Sequence, residues 1–359
     1  MVTIKSIAQE ANVSEGTVDR VLHDRGGVSK KTEAKVKKIL KKYSFKVNPV
    51  ARALALKHRF KLSTLMPSYN DKNSFWKSPY SGILKASSEV NNYGVTVDNY
   101  FFDQTDAVSY LKEFEILMES EPSAVVLVPT FVKETQQIID RLDKQQIPYL
   151  FLNIDLEGFD NISFIGQDSY MGGYVAGKLM HLNLGWQTSV LIVNTTSNIT
   201  NYHAISRRIE GFNDYFSQNE IKFKTVTLSI DHFDQVDKTR DIINSFLQQN
   251  KSIKGLFVPS SRIAAIVDVI EPDLLEKMEL VGFDNTEQNL RCLEDGTVSF
   301  VVSQKPFEQG YESIHLMSDY LVNGNVPAPV VYSPIEILTK ENARFNDRKE
   351  RSTLTDSIT

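Results

Sequence analysis

Apolar residues near the start of the chain recur at helical spacing. Ile4, Ile7, Ala8 and Ala11 fall on one face, with Thr3 placed to cap the first turn. Asn12-Val13-Ser14 then interrupts the pattern: Asn tolerates a left-handed backbone, and the Ser14 hydroxyl can accept from the first amides of a new helix. That helix is predicted over Glu15 to about Leu22, burying Val18, Val21 and Leu22. Asp24-Arg25-Gly26-Gly27 reads as a loop, Ser29 as the next cap, and Val36, Ile39, Leu40 and Tyr43 as the apolar face of a third helix. Three short helices with a tight turn between the first two describe a helix-turn-helix unit.

Farther on, Asn48 can cap and Pro49 suits a first helical position, so Val50 to Lys57 is predicted as a helix of about two turns. Isolated helices below roughly 12 residues are marginal in water, and this one is expected to fold only on DNA. From Lys61 the pattern changes to short apolar runs alternating with amphipathic stretches. Strands are predicted at Leu62 to Met66, Val95 to Phe101, Ala124 to Pro129, Tyr149 to Leu152, Ile162 to Ile165, Val190 to Val193, Lys224 to Leu228, Gly255 to Val258, Leu280 to Phe283 and Phe300 to Val302. Helical patterns separate most of them, as at Pro79 to Asn91, Ala107 to Glu119, Glu134 to Gln145, Gly172 to Leu184 and Ala204 to Phe216. Such alternation predicts parallel doubly wound sheets, and these strands exceed one comfortable sheet, so two α/β lobes are expected with a ligand cleft at their strand ends.

The predicted organisation is an all-α head over residues 1–46, a short helix and linker over 47–60, a two-lobed body over 61–345 and a disordered tail over 346–359. The first lobe is expected to take about 61–166 and 304–325, and the second about 167–303 and 326–345.

Charge sharpens this division. Residues 1–60 carry a net +9 and the remainder a net −14, a polyanion-binding head on an acidic body. No run approaches the roughly 18 apolar residues of a membrane helix, and no export signal is read, so the protein is expected in the cytoplasm, at the nucleoid, without a membrane partner. Cys292 is the single cysteine, which excludes an internal disulfide framework. His23, His58, His181, His203, His232 and His315 show no metal spacing. Walker A, G-x-G-x-x-G, G-x-S-x-G and H-E-x-x-H motifs are missing, so no cofactor, no metal and no catalysis are expected.

These residues resemble the lactose-repressor family. The head motif reads Thr3-Ile4-Lys5-Ser6-Ile7-Ala8, Val13-Ser14-Glu15-Gly16-Thr17-Val18-Asp19-Arg20-Val21-Leu22 and Val28-Ser29. Asn48-Pro49-Val50-Ala51-Arg52-Ala53-Leu54 is similar to that family's hinge helix. The body resembles periplasmic sugar-binding proteins of the ribose type in Ile147-Pro148, Gly166-Gln167-Asp168-Ser169, Gly172-Gly173, Arg208, Glu210-Gly211-Phe212, Val281-Gly282-Phe283-Asp284, Gln304 and Pro306. The resemblance implies a homodimeric repressor of carbohydrate-utilisation genes. It would bind a pseudo-palindromic double-stranded operator under control of a sugar effector. An extracytoplasmic-type sugar-binding protein or a sugar-processing α/β enzyme is the alternative, and neither accounts for the basic head.

In a helix-turn-helix the second helix enters the major groove with its N-terminal residues at base edges. Here these are Glu15, Gly16, Thr17, Asp19 and Arg20, and the guanidinium of Arg20 can address guanine in bidentate fashion. Family members commonly carry Ser where this chain has Asp19. Lys5, Ser14, Thr17, Ser29, Lys30, Lys31 and Lys35 are candidate phosphate contacts. Within the hinge helix Asn48, Ala51 and Leu54 are implied to meet the minor groove, Leu54 as an apolar wedge.

For the effector, Phe75 and Trp76 are candidate stacking platforms, with ordinary packing as the alternative. Asn153, Arg208, Asp284 and Gln304 occupy sugar-binding positions by resemblance, and a structural salt bridge between Arg208 and Asp284 is the other reading. The chain departs from the family at Ser260-Ser261-Arg262, where Asn-Asp is usual, and at Asn153, where Asp is frequent. Ser260 and Arg262 join the candidate set, and Arg262 adds a cation that suits an acidic or phosphorylated sugar.

Overall fold

A computed structural model describes residues 4–22, 26–43, 60–70, 74–185, 189–195, 203–230, 233 and 235–345. Thr3, the predicted hinge helix with Asn48, Ala51 and Leu54, and the tail 346–359 lie outside the described residues. The chain divides into two compact units, Met1–His58 and Arg59–Thr359.

In the head, α1 (Ile4–Ala11) and α2 (Glu15–Leu22) are joined by Asn12, whose φ of 53° is the left-handed turn its sequence predicts. The Val13 amide returns to the Ala8 carbonyl at 3.0 Å, and the Thr17 amide donates to Ser14 Oγ at 3.2 Å, capping α2. Ser29 opens α3 (Lys30–Lys42) by accepting from the Thr32 amide. Ile7, Ala8, Ala11, Val18, Val21, Val36 and Ile39 bury a common core. An ion pair of 2.8 Å from Lys42 to Glu10 ties the end of α3 to α1.

The body holds two six-stranded sheets. The first contains β1 (Phe60–Pro67), β2 (Val95–Phe102), β3 (Ala124–Leu127), β4 (Tyr149–Leu152), β5 (Ser163–Gly166) and β11 (Val330–Tyr332), in the order β11-β5-β4-β3-β1-β2, with every described pairing parallel. The second contains β6 (Ser189–Asn194), β7 (Lys224–Ser229), β8 (Ile253–Phe257), β9 (Glu279–Phe283), β10 (Phe300–Ser303) and β12 (Glu336–Leu338), in the order β12-β10-β9-β8-β6-β7, with only β12 antiparallel. Central strands such as β3 (AVVL) and β4 (YLFL) are buried along their whole length, which is why they read as unbroken apolar runs.

Helices cover both faces of each sheet. In the first lobe α4 (Lys77–Val90) and α13 (Pro306–Asn323) lie on one face, and α5 (Ala107–Glu119) and α6 (Val132–Lys144) on the other. In the second lobe α7 (Ser169–Leu184) and α8 (His203–Gln218) lie on one face. The opposite face takes α9 (Val236–Gln249), α10 (Ile263–Val267), α11 (Pro272–Leu275) and α12 (Glu287–Glu294). Each lobe has one helix pair in backbone contact. A Cβ on Gly82 would stand 2.1 Å from the Phe307 carbonyl oxygen, and one on Gly173 2.0 Å from that of Arg208.

The chain crosses between lobes three times, at β5 to α7, β10 to α13 and β11 to β12. This corrects one expected boundary: residues 330–332 belong to the first sheet, although 326–345 reads as second-lobe sequence. Both β11 and β12 are three residues long, and Val330 and Tyr332 of β11 are exposed, so neither prints the longer buried run that marks the central strands. Among the described residues no helix is long and apolar enough to cross a membrane.

Candidate functional site

On α2 the buried side, Val18 and Val21, packs into the head core while Glu15, Gly16 and Arg20 are exposed and Thr17 and Asp19 half-buried. The surface nearest the helix start is open at Gly16, where an added Cβ would approach nothing nearer than Ser14 Oγ at 3.9 Å. Arg20 lies along the following loop, its Nη1 3.7 Å from where a Gly27 Cβ would sit. Lys5, Lys30, Lys31 and Lys35 are exposed. The hydroxyls of Ser14 and Ser29 are hydrogen-bonded to Thr17 and Thr32, each 2.9 Å oxygen to oxygen, so both serve their helix starts.

In the body, the candidate residues gather at strand carboxyl ends. Asn153 follows β4 and Asp284 follows β9, and both adopt left-handed backbone, with φ of 69° and 70°. In each lobe the turn is held alike: the Asn153 amide donates to the Ile165 carbonyl at 2.8 Å, and the Asp284 amide to the Val302 carbonyl at 2.9 Å. Asn and Asp are the non-glycine residues that accept this conformation most readily.

Their side chains belong to one hydrogen-bonded chain across the lobes. Asn153 Nδ2 donates to Gln304 Oε1 and to Gln309 Oε1, both at 2.9 Å. Gln304 Nε2 donates to Asp284 Oδ1 at 2.6 Å, and Gln309 Nε2 to the Gln304 carbonyl at 2.7 Å. Burial raises the Asp284 carboxyl above its ordinary range, opposed by nearby Arg208 and by the Gln304 hydrogen bond.

Arg208 is held on α8, 5% exposed, with Nη1 donating to the Pro259 carbonyl at 2.9 Å and its guanidinium carbon 4.0 Å from the centre of the Phe283 ring. Burial lowers its pKa and the charge of Asp284 raises it, but no ion pair joins the two among the described residues, so the salt-bridge reading does not hold. Arg262 Nη1 donates to the Thr195 carbonyl at 3.2 Å, and its guanidinium stacks 5.3 Å from the Phe233 ring. Ser260 Oγ is buried.

Phe75 and Trp76, candidate platforms with packing as the alternative, are packed in the structure. They are 7% and 2% exposed within the first-lobe core, in edge-to-face contact at 5.0 Å, and Trp76 Nε1 donates to Gln104 Oε1 at 3.2 Å. Both rings are packed walls of that lobe. Sequence reading also passed over Gln309, which is fully buried on α13 and orients both Asn153 and Gln304. Its signal was available: an amide one turn after Pro306, on the helix face that also buries Gly310 and Ser313.

Ser74 Oγ donates to Gln288 Oε1 at 3.2 Å, joining the first lobe to α12 of the second.

A helix-turn-helix unit and a two-lobed α/β body with a polar chain running between its lobes define a DNA-binding regulator built on a binding-protein fold. The chain belongs to the lacI family of bacterial regulatory proteins, which matches residues 3–48, followed by a periplasmic binding protein domain matching residues 64–325. It is similar to the ribose operon repressor of Lactococcus lactis subsp. lactis, at 22% identity over 98% of this chain and 100% of that protein. It is also similar to the HTH-type transcriptional regulator RegA of Clostridium saccharobutylicum, at 25% identity over 95% and 98%. Among solved structures, a Bacteroides fragilis protein assigned as a LacI transcriptional regulator covers 80% of this chain and 99% of its own with a TM-score of 0.73 and 24% identity. The glucose-galactose binding protein GanP of Geobacillus stearothermophilus shares the fold at a TM-score of 0.67 and 19% identity, over 80% and 99%.

Proposed function

We propose that this regulator represses carbohydrate-utilisation genes as a homodimer on a pseudo-palindromic operator, releasing or gripping it as a sugar binds between the lobes. The observation that carries the reading is the chain Asn153–Gln304–Asp284 beside the buried guanidinium of Arg208, a set of donors and acceptors suited to sugar hydroxyls. Ribose operon repressors among its relatives agree with that chemistry. Each head reads one half-site, hence the dimer. Glu15, Gly16, Asp19 and Arg20 face bases, the lysines and capping hydroxyls meet phosphate, and the protein has no catalytic role.

The test is operator selection with the purified chain, followed by anisotropy titration with and without sugars. We expect a two-fold symmetric site whose affinity shifts with at least one sugar. Arg20→Ala is expected to lose the preference for that site, about 1–3 kcal/mol per guanine contact, while keeping weak, salt-sensitive binding. Unchanged sequence preference would remove Arg20 from the readout, and equal operator affinity with and without a bound sugar would refute the sensor.

A further inference from the structure

Three second-lobe residues near the strand carboxyl ends carry a buried donor without a partner. Arg208 uses Nη1 on the Pro259 carbonyl and one face on Phe283, and its Nε–H is buried without a partner. Ser260, the next residue after Pro259, has a buried hydroxyl with no partner. Thr195 is 6% exposed; its carbonyl accepts from Arg262, and its hydroxyl is likewise unpartnered. Strands β6, β8 and β9 are neighbours, so Thr195, Ser260 and Asp284 share one sheet edge, with Arg208 pinned to it through Pro259.

On that edge Arg208 and Asp284 act on one another electrostatically without an ion-pair contact. Among the described residues 195, 258–262 and 284–286 that follow these strands, Asp284 is the acidic one. Its carboxylate is 3% exposed, engaged by Gln304 and not ion-paired to Arg208. From the first lobe, Asn153 contributes a neutral amide. Asp231 and Asp234, which flank Phe233, lie outside the described residues. A buried guanidinium with no carboxylate in contact is costly unless a ligand supplies the acceptor. Buried hydroxyls without partners add to that demand. A sugar hydroxyl can accept but also brings its own proton, whereas anionic oxygens only accept and form charge-assisted bonds about twice as strong.

We propose that the effector is an anionic sugar whose carboxylate or phosphate group is received by Arg208, Ser260 and Thr195. This rests on the reading of the body as a sugar sensor.

Calorimetry and thermal shift on the full chain, at matched ionic strength, separate the two. The neutral arm is D-glucose, D-galactose and D-ribose; the carboxylate arm is D-glucuronate, D-galacturonate and D-gluconate; the phosphate arm is D-glucose 6-phosphate and D-ribose 5-phosphate. We expect at least one acid to bind tenfold or more tighter than its neutral parent, the arm it falls in identifying the anionic group. Ser260→Ala should weaken that acid several-fold without changing a neutral sugar, and Arg208→Met should abolish it, with circular dichroism confirming the fold. A neutral sugar that binds as tightly as its acids overturns the anionic proposal and leaves the sugar sensor standing. Silence from every sugar of all three arms overturns both.

Discussion

Asn153 has two amide hydrogens, and both are committed: one to Gln304 Oε1 and one to Gln309 Oε1. What remains is its carbonyl oxygen, an acceptor. The two donated bonds need an amide at this position, since an ionised carboxylate could donate neither. Gln309 enforces the arrangement, because its own amide nitrogen donates to the Gln304 carbonyl, leaving its oxygen for Asn153. Removing either member strands a buried polar group, which costs about 1–3 kcal/mol. Gln309→Met is therefore expected to destabilise the ligand-free chain by that order, and Asn153→Ala to do likewise. In a double-mutant cycle by chemical denaturation the two should couple by about 0.5–3 kcal/mol. Additive losses would mean that the two amides do not share the contact.

Helix pairs set these side chains in place. Gly82 and Gly310 bring α4 and α13 into backbone contact, a Cβ on Gly310 falling 2.0 Å from the Pro79 carbonyl oxygen. Gly173 and Gly211 do the same for α7 and α8, and so fix Arg208, whose carbonyl meets Gly173. On the α4–α13 pair, Glu89 Oε2 accepts from Tyr311 Oη at 2.7 Å and from His315 Nε2 at 3.1 Å, while Lys85 lies 3.4 Å from Oε1. The Tyr311 hydrogen bond is the main cause holding its carboxyl below the ordinary range, with His315 and Lys85 assisting and burial opposing. A depressed carboxyl stabilises the fold above the unfolded-state pKa of about 4.3 and loses that contribution as pH falls through the folded value. Glu89→Gln is thus expected to lower the melting temperature at pH 7 and to match the parent well below pH 4; a gap that persists in acid would assign the effect to packing instead. Sequence pattern reached most of this level, because parallel strands buried on both faces print unbroken apolar runs and the helices between them keep one apolar stripe. It did not reach β11 and β12, which at three residues each are too short to print a strand pattern, and so it misplaced 330–332. At the site, Arg208, Asp284 and Gln304 were legible through resemblance; Gln309 carried a signal in its place on the buried face after Pro306 but belonged to no quoted motif, and the burial of Phe75 and Trp76 depends on tertiary packing that no local pattern carries.

At the scale of the whole body, three crossovers join two lobes, and one buried side chain touches all of them. Gln167, 2% exposed on the first crossover, donates through Nε2 to the Ser303 carbonyl at 3.1 Å on the second and the Pro334 carbonyl at 3.4 Å on the third. Lys305 and Glu336 add an ion pair of 2.7 Å between the second and third. A ligand shifts a conformational equilibrium only by its differential affinity for the two states, so the stiffness of these crossovers helps set how far effector binding is transmitted. Gln167→Leu removes both hydrogen bonds with little change in volume and leaves every effector-site side chain in place. Coupling between two sites of this kind is typically 5–150-fold and must be equal in both directions. With an effector identified, the variant is expected to reduce that factor toward unity, seen equally in effector affinity with operator present and in operator affinity with effector present. Operator affinity in the absence of effector should change less than the coupling does. An unaltered coupling factor would show that the lobes move about some other contact, with Gln167 merely filling its place in the crossover layer.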